Sequence, residues 1–286
     1  MMTFRGLWGH VMGVLLGMGF IMADHAQAED AGSFRVATFN IRCPVDRAPN
    51  AWTCRVGRVC GVIDKQGFDL MGLQEATAGQ IDDLLTKGWD AVGGGRDDGK
   101  RRGEASCIFF RIARFDLRDT GTFWLSETPE VPGSKSWDTA CTRVCTWARL
   151  MDRKTGREFV HFNTHLDHMS AAAREHGMAL ILTRMPLIAQ GRPVILTGDM
   201  NATPGAPPIR LATSVLHDAA AISRTPHTGT LATFNAFKSN PAPTAQIDYI
   251  FVSDGIRVLT HATVNDSEEG LYPSDHFPVM ADVVLE

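Results

Sequence analysis

Short apolar runs recur along this chain, and most of them stop at a residue able to bind a hard cation or move a proton. Residues 34–40, 68–74, 105–111, 194–197, 247–252 and 279–285 are short runs with many β-branched and aromatic side chains, which predicts buried strands. Residues 144–151 and 158–164 are two more, separated by Asp152-Arg153-Lys154-Thr155-Gly156, and so predict a hairpin. Helical spacing takes over at 55–66, where Val56, Val59, Cys60 and Ile63 share a face, and at 77–87, where Ile81, Leu84 and Leu85 do. Residues 170–190 are the longest helical stretch, with Pro186 expected to kink or end it. Residues 93–100 are rich in glycine and predict a mobile loop, and 128–141 a long polar one. Strands outnumber helices, and the hairpin implies antiparallel pairing. The pattern therefore predicts an α/β fold of mixed sheets packed together, with helices outside.

The first 28 residues are of another kind. Arg5 gives a positive start, 7–22 are apolar and glycine-rich, and Ala26-Gln27-Ala28 is the small-x-small pattern of a cleavage site. This predicts a signal peptide over 1–28 and an exported protein, periplasmic or secreted, over 29–286. No later segment is apolar for long enough to predict a transmembrane span, and no linker or repeat divides the remainder into domains. The 286-residue chain has a formal net charge of −4. That argues against dedicated duplex-DNA binding and leaves room for a small phosphorylated substrate held by a few arginines. Six cysteines in an exported chain permit disulfides. Cys43 and Cys54 flank a Pro/Asn-rich loop, Cys141 and Cys145 lie close in sequence, and Cys107 reads as a buried thiol. The absence of a CxxC pair argues against a zinc cage.

In chain order the strand ends supply Asn40, Glu75, His165 with Asp167, Asp199 with Asn201, and Asp275 with His276; Asp248 opens a strand. Each alone is as readily a cap, a turn former or a solvated loop residue. Their number and shared placement point to a site, because loops at sheet ends are where α/β sites are built. The chemistry is oxygen-rich. Several carboxylates with an amide and no thiolate suit Mg²⁺ or Mn²⁺, and His165 and His276 offer proton transfer or hydrogen bonds to a phosphoryl group. Such a set suits metal-assisted hydrolysis of a phosphate ester. Arg96 and Arg143 are the candidate phosphate contacts, through their planar donor forks. Trp124 and Trp137 are either a platform for a base or sugar or part of the core.

Six motifs run in order: Thr38-Phe39-Asn40-Ile41-Arg42, Gly72-Leu73-Gln74-Glu75, Asn163-Thr164-His165-Leu166-Asp167, Thr197-Gly198-Asp199-Met200-Asn201, Ile247-Asp248-Tyr249-Ile250 and Ser274-Asp275-His276-Phe277-Pro278. Together they resemble the ordered motifs of the endonuclease/exonuclease/phosphatase superfamily, and residues 123–150 resemble an exported bacterial branch of it. The resemblance implies a four-layer α/β sandwich: two mixed β-sheets face to face with helices outside. It implies that Glu75 is the main Mg²⁺ (or Mn²⁺) ligand, with Asn40 beside it and Asp275 near the metal. Asp199, helped by Asn201, would orient or deprotonate the attacking water. Asp248 would hold His276, and His276 and His165 would contact the scissile phosphate and leaving oxygen. Some relatives carry an acid two residues after the Asn, where this chain has Arg42; this puts a second carboxylate near Glu75 in doubt and favours one metal over two. The implied activity is a divalent-metal phosphoesterase acting, as a monomer, on a phosphorylated small molecule, nucleotide or lipid headgroup. An exported nuclease and a catalytically silent binding module on the same fold are the alternatives.

Overall fold

Alternation along the first strand sets the layering. In β1 (Phe34–Asn40), Phe34 and Val36 face one apolar cluster while Ala37 and Phe39 face another, so the strand is covered on both sides. The computed structural model describes residues 31–86, 88–238 and 245–286; the expected leader over 1–28 lies outside the described residues. After β1 come α1 (Trp52–Gln66), β2 (Leu70–Gln74), α2 (Ala78–Leu84), β3 (Trp89–Val92), β4 (Ile108–Arg111), β5 (Phe115–Trp124), β6 (Val144–Asp152) and β7 (Glu158–His165). Then follow α3 (Ala171–Ala189), β8 (Val194–Asp199), α4 (Pro207–Thr213), β9 (His217–Asp218), α5 (Ala219–Ile222), β10 (Asp248–Val252), β11 (Ile256–Thr263) and β12 (Val279–Leu285).

The strands form two six-stranded sheets, in the orders β11-β12-β1-β2-β4-β3 and β5-β6-β7-β8-β10-β9. Both are mixed. β1 and β2 are parallel across the α1 crossover, β7 and β8 are parallel across α3, and the remaining pairs are antiparallel. Leu70, Ile108 and Val283 of the first sheet pack with Leu150, Ile195 and Ile250 of the second, in the cluster between the sheets. Val59, Val62 and Ile63 of α1 cover the outer face of the first sheet. Met178, Ile181 and Met185 of α3, with Ile209 of α4, cover the outer face of the second. The four-layer α/β sandwich expected from the sequence is the observed fold, confined to residues 34–286.

Local signals mark two helix ends, and two expectations from the sequence turn out otherwise. α1 stops at Gly67, whose φ of 62° is the left-handed C-cap conformation, and Ser170 caps α3 by accepting a hydrogen bond from the Ala173 amide. α3 runs through Pro186 to Ala189. The missing donor falls in the last turn, and the cap amide of Gln190 bonds back to the Pro186 carbonyl. The permitted disulfides are not formed: all six cysteines are free. Cys54 is exposed and Cys145 is buried in β6, while Cys43 and Cys141 line the cavity described below. No described helix is long and apolar enough to cross a membrane.

Between the sheets, beneath that cavity, lies a buried polar layer. Gln74 Nε2 donates to Thr38 Oγ1 (3.0 Å) and Asn163 Oδ1 (2.7 Å), and Thr197 Oγ1 also donates to Asn163 Oδ1 (3.0 Å). Asn163 Nδ2 donates across the interface to the carbonyls of Leu73 and Cys107. Gly72 makes this approach possible. A Cβ there would sit 2.1 Å from Thr197 Oγ1 and 2.4 Å from Asn163 Oδ1.

Candidate active site

Strand register brings most of the predicted residues together. The parallel pairing of β1 and β2 sets Asn40 opposite Gln74, so Glu75, the next residue, emerges beside Asn40. The parallel pairing of β7 and β8 sets His165 opposite Asp199, and the antiparallel pairing of β8 and β10 sets Asp248 opposite Asp199. Asp275 and His276 arrive on the segment before β12, where Ser274 Oγ donates to the Asn40 carbonyl (2.7 Å). Both sheets thus contribute to one cluster at one end of the sandwich. Several of its residues hold left-handed backbone, among them Arg42 (φ 57°), Glu75 (φ 60°) and Asn201 (φ 46°). Such conformations are costly for non-glycine residues and gather at functional sites.

Asn40 Nδ2 donates to both Glu75 Oε1 (3.1 Å) and Asp199 Oδ2 (2.9 Å), joining the two sheets. The Arg42 amide donates to Asn40 Oδ1 (3.0 Å), and the Cys43 amide donates to Glu75 Oε2 (3.0 Å). On the other side, Asn201 N–H holds Asp199 Oδ1 (2.9 Å), while Asn201 Nδ2 donates to the Leu166 carbonyl and to His165 Nε2, both at 3.0 Å. His276 Nδ1 and Asp248 Oδ2 are 2.9 Å apart, and His276 Nε2 points toward Asp199 Oδ2 at 3.7 Å. Asp248 Oδ1 is buried with no hydrogen-bond partner among the described residues.

These environments push the two histidines apart. Burial alone would depress His276, but the charges of Asp248, Asp199 and Asp275 outweigh it and push its pKa up to about 10. His276 is therefore an imidazolium at neutral pH. Burial, with Arg143 and His276 nearby, holds His165 well below the usual histidine range, so it is neutral. Burial and the neighbouring Asp248 raise Asp199, against the opposing effects of His276 and the Asn40 hydrogen bond. A raised acid beside a charged imidazole is the pattern of assigned acid–base roles.

The cluster opens into a cavity of about 700 Å³. Arg143 is 5% exposed and lines it. Its Nη2 meets His168 Nδ1 at 3.2 Å, while its Nε is buried without a hydrogen bond, 3.9 Å from Asp167. No described residue accepts a hydrogen bond from its Nη1, which leaves that nitrogen as the candidate anion contact. Arg96 also lines the cavity, but both arms of its fork are held by Glu104 at 2.6 and 3.1 Å, which limits its use as a phosphate contact. Asp167 serves the scaffold. Burial would raise its pKa, but amides of Ser170, Met169 and Cys141 and the Thr139 hydroxyl bring it down to about 2, and these bonds tie the 139–141 loop to the start of α3.

Neither tryptophan lines the cavity. Trp124 is buried, with Nε1 donating to the Arg96 carbonyl (2.6 Å), and Trp137 stacks on His176. The aromatic wall is Phe234, edge-on to His276 at 5.0 Å, together with Phe237. His168 and Glu104 are further lining residues. Neither belongs to the six motifs; His168 stands one residue past the third, and that proximity is the sequence signal for it.

Among the described residues, two groups of donors could hold a cation. One ligand atom each from Asp199, Asp248 and His276 lie within 4.8 Å of one another, but the 2.9 Å His276–Asp248 hydrogen bond marks a carboxylate–imidazole pair rather than two ligands. Glu75 and Asp275 face the cavity, and their side chains are 13% and 9% exposed. Hard oxygen donors at an open position, with the Asn40 amide alongside, fit a Mg²⁺-like ion.

Residues 37–276 match the family model described as Endonuclease/Exonuclease/phosphatase family. No curated protein matches the chain. Among solved structures, an endonuclease/exonuclease/phosphatase from Bacteroides vulgatus is 37% identical, with TM-score 0.84, covering 89% of this chain and 99% of its own. A mannosyl-6-phosphatase from Bacteroides thetaiotaomicron is 34% identical, with TM-score 0.81, covering 88% and 100% respectively. The catalytic domain of human Nocturnin with bound sulfate shares the fold at 21% identity, with TM-score 0.72 over 90% and 94% of the two chains. With six motifs in order, two face-to-face sheets and a family match over nearly all of the described fold, this chain belongs to the endonuclease/exonuclease/phosphatase family of phosphoesterases.

Proposed function

We propose that this protein hydrolyses a phosphate ester on a small phosphorylated molecule, with Mg²⁺ or Mn²⁺ held by Glu75 and Asp275 and with Asn40 beside them. The cavity carries the reading. At about 700 Å³ it has the size of a small-molecule site. Asp199, His276 and the guanidinium of Arg143 line it together. A nucleic-acid strand calls for a longer basic track. The similarity to a mannosyl-6-phosphatase makes sugar phosphates the first substrates to try.

In this reading Glu75 and Asp275, with Asn40 alongside, would hold a cation that would offset charge on the scissile phosphate. Asp199, steadied by the Asn201 amide, orients and deprotonates the attacking water. His276, kept charged by Asp248, donates from Nε2 to a phosphoryl or leaving oxygen. His165 lends neutral polar contact, and Arg143 grips a non-bridging oxygen through its fork. The complete set of acid, amide and imidazole groups counts against a silent binding module. Hydrolysis of sugar phosphates, nucleotides, inositol phosphates, sphingomyelin and plasmid DNA is the direct test. Turnover of a small phosphate ester is expected in Mg²⁺ or Mn²⁺ and should vanish in EDTA. Its KM should respond to salt as for roughly one or two phosphate contacts. Full activity in EDTA overturns the metal assignment, and a steep salt slope with tight binding to long DNA promotes the nuclease reading.

Export belongs to the same proposal: residues 1–28 act as a cleaved leader, and the mature chain starts at Glu29. Mass spectrometry of the exported fraction checks this, and an intact Met1 in a soluble cytoplasmic pool contradicts it.

A further inference from the structure

Arg42 is placed where a charge matters most. Its backbone is fixed in the left-handed region from three sides. Its amide donates to Asn40 Oδ1, and its carbonyl accepts from Gln80 Nε2 (2.8 Å) and from Arg55 Nη2. That turn sends the side chain into the cavity. Asp46 pins one edge of the guanidinium, taking Nε at 3.1 Å and Nη2 at 3.5 Å. Nη1 then lies 3.9 Å from Glu75 Oε2, and Nε lies 3.8 Å from Asp275 Oδ2. These distances are within ion-pair range but too long for hydrogen bonds. No described residue accepts a hydrogen bond from Nη1. The side chain is 31% exposed, so an incoming anion can reach it.

A cation beside Glu75 and Asp275, held there by a third carboxylate and with a donor left over, has two consequences. It repels a divalent ion at those carboxylates, and it presents a fixed positive charge to any phosphate brought alongside. We propose that Arg42 binds a non-bridging oxygen of the scissile phosphate and does the work a second ion would otherwise do, so that the enzyme holds one divalent ion per chain. This rests on the phosphoesterase reading above. Guanidinium is suited to the task, since it stays charged and offers planar paired donors.

Three proteins test it: wild type, Arg42→Gln and Arg42→Lys, each first confirmed as folded by circular dichroism. Mn²⁺ titration by calorimetry should give one ion per wild-type chain. Arg42→Gln should bind Mn²⁺ more tightly, by roughly tenfold, because a like charge near the site is gone. Inorganic phosphate binding to the Mn²⁺-loaded protein should weaken about tenfold or more in Arg42→Gln, the scale of one lost charge-assisted contact, with Arg42→Lys in between. Turnover should show the loss in kcat as well as in KM. Two ions per wild-type chain, or weaker Mn²⁺ binding by Arg42→Gln with unchanged phosphate affinity, overturns the proposal and makes Arg42 a scaffold for the carboxylates. These binding measurements need no substrate. A wild type that binds Mn²⁺ and phosphate but hydrolyses nothing defeats the hydrolase reading alone. A wild type that binds no Mn²⁺ defeats both.

Discussion

Replacing Asp199 with Asn is expected to lower kcat at least ~100-fold, the scale of a lost general base or electrostatic group, and to flatten the dependence of stability on pH. The two halves of this expectation share a cause. Asp199 is buried between Asp248, Asn40 and the two histidines, and burial together with the Asp248 charge raises its pKa. A carboxylate whose folded pKa lies above its unfolded value stabilises the fold only while protonated, and that contribution is lost as pH rises through the folded pKa. His276 acts in the same direction. Held up to about 10, it contributes stability that is full below its unfolded pKa and fades as pH climbs toward 10. In chelator, the Asp199 contribution should therefore fade between about pH 4 and 7, and the His276 contribution between about pH 6.5 and 10, where the wild-type Tm falls. Asp199→Asn removes one of the two proton-binding groups and part of the field on His276, and should flatten the slope. Kinetics across pH and thermal melts of the two proteins give both readouts. Near-wild-type kcat in the variant would remove Asp199 from the mechanism.

Arg55→Met should be the most damaging change for stability among the residues described. Arg55 is fully buried on α1 and hydrogen-bonds no carboxylate. Its donors instead serve main-chain carbonyls of Ile41, Arg42 and Cys43 after β1, Asn50 before α1, and Pro273 just ahead of Asp275. Burial lowers its pKa to about 10, so the charge persists at neutral pH. Methionine fills similar space but strands several buried acceptors, each costing about 1–3 kcal/mol. A loss of at least ~3 kcal/mol is expected, or roughly 6–12 °C in Tm for a domain of this size. The segments after Asn40 and before Asp275 both hang on this side chain, so Mn²⁺ affinity should fall with it. Arg55→Lys, with fewer donors, should recover part of each. An unchanged melt would mean that water replaces the guanidinium.

Much of the site was legible because strands that end in acids, amides and histidines are rare without a purpose, and register does the rest. Once β7, β8 and β10 are neighbours, His165, Asp199 and Asp248 must meet. The less legible parts have physical causes. β5 carries a run of exposed, mostly polar residues from Leu117 to Thr120 at a sheet edge, so its apolar signal breaks in the middle. β3 is a four-residue edge strand, and a register shift between Val258 and Thr260 interrupts β11. The partnership of Arg96 with Glu104 depends on how a glycine-rich loop folds back, which hydrophobic patterning does not encode. Asp167 has the same chemistry as Asp199, and only the direction of its side chain separates a loop clamp from a member of the site.

The close contact at Gly72 bears on how the molecule comes apart. β1, β2, β7 and β8 lie inside their sheets, with strands bonded on both sides, and the Gln74–Asn163–Thr197 bonds lock one sheet to the other. Parting the sheets would expose all of those polar groups at once, so the amides of the four strands should exchange with deuterium together, by global unfolding. Residues 93–104 and 128–141 contain no strand or helix, and their amides should exchange through local openings. Groups that perform chemistry and loops that frame its target would then belong to different cooperative units. Mutation could reshape the second repeatedly while drawing little on the folding free energy that secures the first.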